Sequence, residues 1–262
     1  MDSQEMYVTA WKQTSDAIIE LVRGLDEEQL TTPTDLPGWD VHDVVAHLAH
    51  LEQVGSGDPE EPTGVAIVAA DYTNAGVAVR RDVPTAELLA GFERDVASRH
   101  AALTTTRLDL ADMAPVTPSG VPWTWETLLR NRAVDVWVHE QDIRRAVGRP
   151  GSLDSLGAQV TTHTFAAGMG FVLGKKVRAE PGSVVRWLVE GDVQLTLELE
   201  VGEDGRARRA KPGTSADVTL DMTSETFTVL AAGRRTPDQV EVRYAGDGDL
   251  AARVLANMTL TF

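Results

Sequence analysis

Cysteine is absent from the 262 residues, which excludes a disulfide framework, a thiolate zinc finger and any protein-borne nucleophilic or redox thiol. Basic residues are scarce: 24 Lys and Arg stand against 40 Asp and Glu, a formal charge of −16. Such a chain lacks the clustered cations that binding to nucleic acid or to an anionic membrane requires. No apolar run approaches the ~20 residues of a spanning helix. The acidic, polar start MDSQEMYVTAWKQ lacks the layout of a signal peptide, so a cytoplasmic protein is expected. Lysine is rare even among the basic residues, 4 against 20 arginines, a coding bias of a GC-rich genome rather than a property of a site.

What is present is ordinary globular material, 42% hydrophobic and 24% charged. Its length suits one large domain or two of about 100–150 residues. The charge is unevenly spread. Residues 1–150 carry 25 acids and 12 bases (net −13), and residues 151–262 carry 15 and 12 (net −3). The hydrophobic period changes near the same place. Helical spacing runs through 5–25, 40–54, 85–104 and 124–147, and more weakly through 65–80, where Gly76 interrupts it. PEEPTG at 59–64 reads as a surface loop. After Gly148-Arg149-Pro150-Gly151 one further helical stretch, 153–173, precedes alternating strand-like segments: VVRWLVEG, VQLTLELEVG, a basic ARRAK after the turn GEDG, and ADVTLDM. SETFTVLAAG and DGDLAARVLANM read as closing helices. The fold class is therefore α followed by α+β. A helical bundle occupies 1–150, extended by a helix to about 175, and a small α+β domain follows at 178–262.

The helix at 40–54 has well-defined start signals. Asp40 is a good N-cap and Asp43 places negative charge at the positive end of the dipole. Pro37-Gly38 supplies the turn, and Trp39 with Val44 form a hydrophobic staple. The inward stripe is then Val44, His47, Leu48 and Leu51, with His42 and His50 solvated. A histidine on an apolar stripe needs a partner. In RNRAVDVWVHEQDIRRAV, Asp135 and His139 are four apart and share one face, with Asp142 three further on. Carboxylate and imidazole at this spacing form a two-point metal clamp. His47 from a facing helix would complete three ligands and leave a fourth position open, the arrangement of a catalytic zinc site. The competing reading is a satisfied core histidine beside an Asp–His hydrogen bond. His139-Glu140 does not begin a zincin motif, because position 143 is Ile.

LPGWDVHDVVAHLAHLE (36–52), the Asp-x-x-x-His-x-x-Asp-Ile-Arg segment (135–144) and the GRP that follows it resemble the mycothiol-dependent maleylpyruvate isomerase family of the DinB-like metalloenzyme superfamily. ADVTLDMTSETFTVLAAGRR with VRYAGDGDLAARVLANM resembles the sterol-carrier-like α+β domain that often accompanies it. The resemblance implies a DinB-like four-helix-type bundle holding one divalent metal, usually zinc, through two histidines and a glutamate. By motif the ligands are His47, His139 and, at the glutamate position, Asp135, one methylene shorter but still a hard oxygen ligand. It further implies that mycothiol occupies the open position as a thiol cosubstrate and attacks an electrophilic small molecule, giving isomerisation or S-transfer.

On this reading Asp142 orients His139; the alternative is a surface contact with Arg144 or Arg145. Arg234 could reach a substrate carboxylate, although favourable charge at a helix C-terminus after Gly233 explains it more simply. Trp123 and Trp125 fix a helix start around Thr124, and Arg80-Arg81 reads as a solvated face. Two other functions stay open: a small-ligand-binding protein with a structural or vestigial metal, and a metal-dependent hydrolase. The electrophile and the oligomeric state are not encoded legibly.

Overall fold

The structure, a computed structural model, describes residues 1–57 and 69–261; the loop expected at 59–64 lies outside them. The chain divides into two compact units, Met1–Val160 and Thr161–Phe262. The first contains α1 (Ser3–Arg23), α2 (Glu27–Leu30), α3 (Val41–Gly55), α4 (Ala69–Ala78), α5 (Thr85–Thr105) and α6 (Trp125–Ala146). Helix α1 packs on α5 and α6, and α3 packs on the same two, so the four long helices close into a bundle, with α4 laid along α3. Side-chain caps fix the helix starts: Asp2, Asp40 and Thr124 accept from the backbone N–H of Glu5, Asp43 and Thr127, each cap contributing about 1 kcal/mol. The turn before α3 is type II. Trp39 N–H donates to the Leu36 carbonyl at 3.1 Å, Pro37 fills the first central position, and Gly38 has the positive φ (79°) that the second demands.

Helix α3 departs from the single-stripe expectation. Val41, Val44, Val45, Ala46, His47, Leu48, Ala49, His50, Leu51 and Glu52 are all buried, because α4 covers the side that α5 and α6 leave open. His50, expected in solvent, is 1% exposed and lies against the Tyr72 ring at 5.1 Å. Gly76 is the reason α4 can come so close. A Cβ at that position would stand 2.2 Å from His50 Cδ2, so the residue that weakens the helical pattern is the one that permits the packing. His42 is half-buried, its ring nitrogens 2.7 Å from Thr85 Oγ1 and 3.1 Å from the Arg81 carbonyl. Arg81 makes two 3.0 Å bonds to Asp43, so Arg80-Arg81 is more than a solvated face.

The division between the units falls within α7 (Leu156–Phe171), which continues as a π-helical turn, Val172–Lys176. The second unit then forms β1 (Val184–Glu190), β2 (Leu195–Val201), β3 (Ala207–Arg209), β4 (Val218–Thr223), α8 (Ser224–Ala231), β5 (Arg243–Gly246) and α9 (Gly248–Leu255). The strand order is β3-β2-β1-β4-β5, with β1 and β4 parallel and every other pair antiparallel. Trp187 pairs across the sheet with Leu197 and Leu220, and all three are buried. The sheet's alternation, period 2, puts Val185, Trp187 and Val189 on the buried face with Val218, Leu220 and Met222. The sequence pattern missed β5. Its four residues are all exposed on a sheet edge, so no buried alternation marks it.

Candidate metal centre

Helices α3 and α6 place three ligand-type side chains together. His47, Asp135 and His139 each offer one atom, and those atoms lie within 4.8 Å of one another. Asp135 Oδ1 is 3.6 Å from His47 Nε2 and 3.6 Å from His139 Nε2. These separations exceed hydrogen-bond length. They approach the roughly 3.3–3.5 Å that separates ligand atoms around a tetrahedral ion with bonds of 2.0–2.2 Å. The shorter aspartate therefore reaches both imidazoles. Both ring nitrogens of His47 are buried with no hydrogen-bond partner among the described residues, a costly state for an imidazole, of which a bound cation would relieve the Nε2 half. Two nitrogens and one carboxylate oxygen suit zinc or a similar divalent ion.

The protonation states of His47 and Asp135 suit ligation, while a metal at His139 would have to displace a proton. Burial, only partly offset by Asp135, pushes the His47 pKa down to about 4, so its imidazole is neutral. Burial also disfavours the His139 imidazolium, but Asp135 and Asp142 outweigh it and hold its pKa above the usual value. Burial would raise Asp135 too, yet Arg132 and His139 prevail and keep it ionised, well below the ordinary carboxylate range. His139 Nδ1 lies 3.0 Å from Asp142 Oδ2. A proton held there leaves Nε2 as the ring nitrogen that faces Asp135 and His47, the atom from which a metal would displace the second proton. Asp142 makes both contacts that the sequence offered as alternatives, since its Oδ1 accepts from Arg145 Nη2 at 2.7 Å. It is not at the surface, however, because it is fully buried. Arg145 continues to Asp35 on the loop before α3, at 2.7 Å.

Several neighbours escaped the sequence reading. Trp39 lies over the histidines, its ring centroid 5.3 Å from His47 and 6.4 Å from His139. Its Nε1–H donates to Asn74 at 3.3 Å. The Asp135 side chain is 29% exposed while those of His47 and His139 are 4% and 7%, so the site opens on the carboxylate side. Behind it, Arg132 Nη1 donates to Asp135 Oδ2 at 2.8 Å, and the same guanidinium donates to Glu52 Oε1 at 2.6 and 3.2 Å. Arg99 and Trp11 complete the shell of Glu52, at 3.0 and 2.9 Å. One signal was available: Glu52 falls four residues after Leu48, on the buried side of α3, and Arg132 falls three before Asp135.

Three further residues have partners of their own. Trp137 turns away and donates to the Ser152 carbonyl at 3.1 Å. Tyr72 packs on His50. Arg234 belongs to the second unit, where its Nη1 donates to the carbonyl of Ala232, the C-cap of α8, at 2.9 Å. That is the helix-terminal arrangement which the sequence reading preferred for it.

Comparison with known proteins agrees with this architecture. Two uncharacterized proteins of Mycobacterium tuberculosis, Rv0036c of strain H37Rv and MT0041 of strain CDC 1551, are each 24% identical over 173 residues, 61% of this chain. The match spans 66% of their length, just under two thirds. Among solved structures, the mycothiol-dependent maleylpyruvate isomerase and a histidine-to-alanine mutant of it superpose with TM-scores of 0.60 and 0.59 at 18% identity, over 94% of this chain and 93% of theirs. That likeness establishes a shared fold. A family model described as the mycothiol maleylpyruvate isomerase N-terminal domain matches residues 11–144, a span that contains His47, Asp135, His139, Asp142 and the buried Glu52–Arg132 pair. The chain belongs to the mycothiol maleylpyruvate isomerase N-terminal domain family.

Proposed function

We propose that this chain is a cytoplasmic, zinc-dependent enzyme that uses mycothiol as a thiol cosubstrate against an electrophilic small molecule. The observation that carries the proposal is the convergence of His47, Asp135 and His139 beside an opening at Asp135. Zinc held by these three would keep a fourth position free and deprotonate a thiol bound there near neutral pH. The chain's own groups prepare that position. Asp142 holds the His139 tautomer, Arg132 holds Asp135, and Trp39 limits water above the two rings. The absence of cysteine fits a reaction in which the sulfur is supplied by a small molecule. A thiolate so presented adds to electrophilic carbon. Reversible addition to a cis double bond conjugated with a carbonyl isomerises it, and retention of sulfur gives S-transfer. Arg234 is a candidate for binding a substrate carboxylate, a role suited to a guanidinium.

The test is a thiol assay on the purified, zinc-loaded chain, with mycothiol beside glutathione and bacillithiol. Monochlorobimane would report S-transfer and a cis-enedioate would report isomerisation. Metal-dependent acceleration with mycothiol is expected. No metal-dependent rate with any of the three thiols on either substrate would sink the catalytic reading.

A further inference from the structure

Asp135 has two carboxylate oxygens and only one is turned toward the histidines. Its Oδ1 faces His47 and His139 at 3.6 Å each, while Oδ2 accepts a 2.8 Å charge-assisted bond from Arg132 Nη1. Arg132 is itself immobilised. Its Nε and Nη2 both donate to Glu52 Oε1, at 3.2 and 2.6 Å. The other oxygen of Glu52 accepts from Arg99, and Trp11 donates to Oε1 from a fourth helix. Arg132 and Arg99 are buried, and Glu52 is fully so. Two carboxylates and two guanidiniums balance, which a buried cluster requires.

We infer that Arg132 is the positioning residue that makes Asp135 a one-oxygen ligand and thereby preserves the open coordination position. Neutralising Glu52 does not need the Arg132–Asp135 bond, because Arg99 and Trp11 already serve that carboxylate. The bond to Asp135 comes from the one terminal nitrogen that Glu52 does not use. A planar fork can hold two carboxylates at fixed angles, whereas an ammonium group cannot. With Oδ2 engaged, Asp135 cannot rotate to give the metal both oxygens, so His47, His139 and a single oxygen leave room for a fourth ligand. Released from Arg132, Asp135 would chelate through both oxygens, raising the coordination number and crowding that room.

This inference rests on the metal reading of the triad, and cobalt(II) separates the two. The full chain is stripped of metal and titrated with Co2+, recording the visible ligand-field bands and the affinity by competition with a chelator. Wild type is expected to bind one Co2+ with the intense bands of a four-coordinate ion. Arg132→Lys, which retains the buried charge, is expected to give the weak bands of a higher coordination number. It should also bind Co2+ about 10–100-fold less tightly, the usual effect of losing a ligand's supporting bond. Arg132→Met should change the bands the same way. Wild type that binds no Co2+ overturns the metal site itself. Wild type that binds, with a folded Lys variant showing unchanged bands and affinity, overturns the role of Arg132 alone. A loss of thermal stability with an unchanged spectrum has the same meaning, since it would make Arg132 a structural residue only.

Discussion

Glu52→Gln should destabilise the first unit severely, because Glu52 is the hub of its buried charge cluster. Its Oε1 accepts from Trp11 at 2.9 Å and from two Arg132 nitrogens at 2.6 and 3.2 Å, and its Oε2 accepts from Arg99 at 3.0 Å. Glutamine keeps the shape and one acceptor, but it presents an NH2 group where an oxygen now meets a guanidinium. Arg132 would keep the carboxylate of Asp135, but the buried Arg99 would lose the carboxylate it pairs with at 3.0 Å. Breaking a buried pair in this way costs about 3–5 kcal/mol, a large share of a typical stability of ~5–15 kcal/mol. Urea unfolding, followed by tryptophan fluorescence and circular dichroism and fitted with separate transitions for the two units, measures the loss. Lys12→Ala is the control: its partner Asp16 is exposed, four residues along α1, and removal should cost under about 0.5 kcal/mol. The pH dependence has a definite sign. Burial would raise the Glu52 pKa, but Arg132 and Arg99 outweigh it and hold it below the ordinary value. Its contribution is therefore complete above the unfolded carboxylate pKa of about 4.3 and is lost as pH falls through the lower folded value. The variant should accordingly lose less stability on acidification than wild type. A cost below about 1 kcal/mol for Glu52→Gln, no larger than a surface pair, would refute the reasoning.

Two further substitutions probe the site's supports. Asp142→Asn keeps an acceptor for His139 but removes the charge that Arg145 pairs with at 2.7 Å; metal affinity measured against a chelator should fall about 10–100-fold, and an unchanged affinity would remove Asp142 from the account. Gly76→Ala gains up to about 1 kcal/mol of helix propensity yet sets a Cβ 2.2 Å from the His50 ring. Overpacking of about 1–3 kcal/mol should prevail, lowering the melting temperature, and a more stable variant would show that α4 does not need the close approach.

The fold was legible where hydrophobic periodicity and capping agree. The starts of α3 and α6 were marked by Asp40 and Thr124, which cap as their residue types require. The strands β1, β2 and β4 were marked by alternation that tracks one buried face. Edge strand β5 carried no such signal, since nothing in it is buried. At the site, His47, Asp135 and His139 were legible because i,i+4 geometry is local and because a histidine on an apolar stripe is anomalous. His50 was misjudged for a related reason. Assigning one inward face to α3 presumes one packed side, and α4 supplies a second through a glycine that local pattern reads only as a weakness. The Glu52–Arg99–Arg132 cluster and the Trp39 cover join residues tens of positions apart. Charged and aromatic residues at those positions are individually unremarkable, and only tertiary packing gives them partners.

The central claim, that α3 and α6 hold one divalent metal through His47, Asp135 and His139, is tested most directly by metal content. Elemental analysis of the purified chain should give close to one equivalent of zinc or a similar ion, and His47→Ala and His139→Ala, each shown to be folded, should lose it. A wild-type protein that carries and takes up no stoichiometric metal, or folded variants that keep it, would contradict the account.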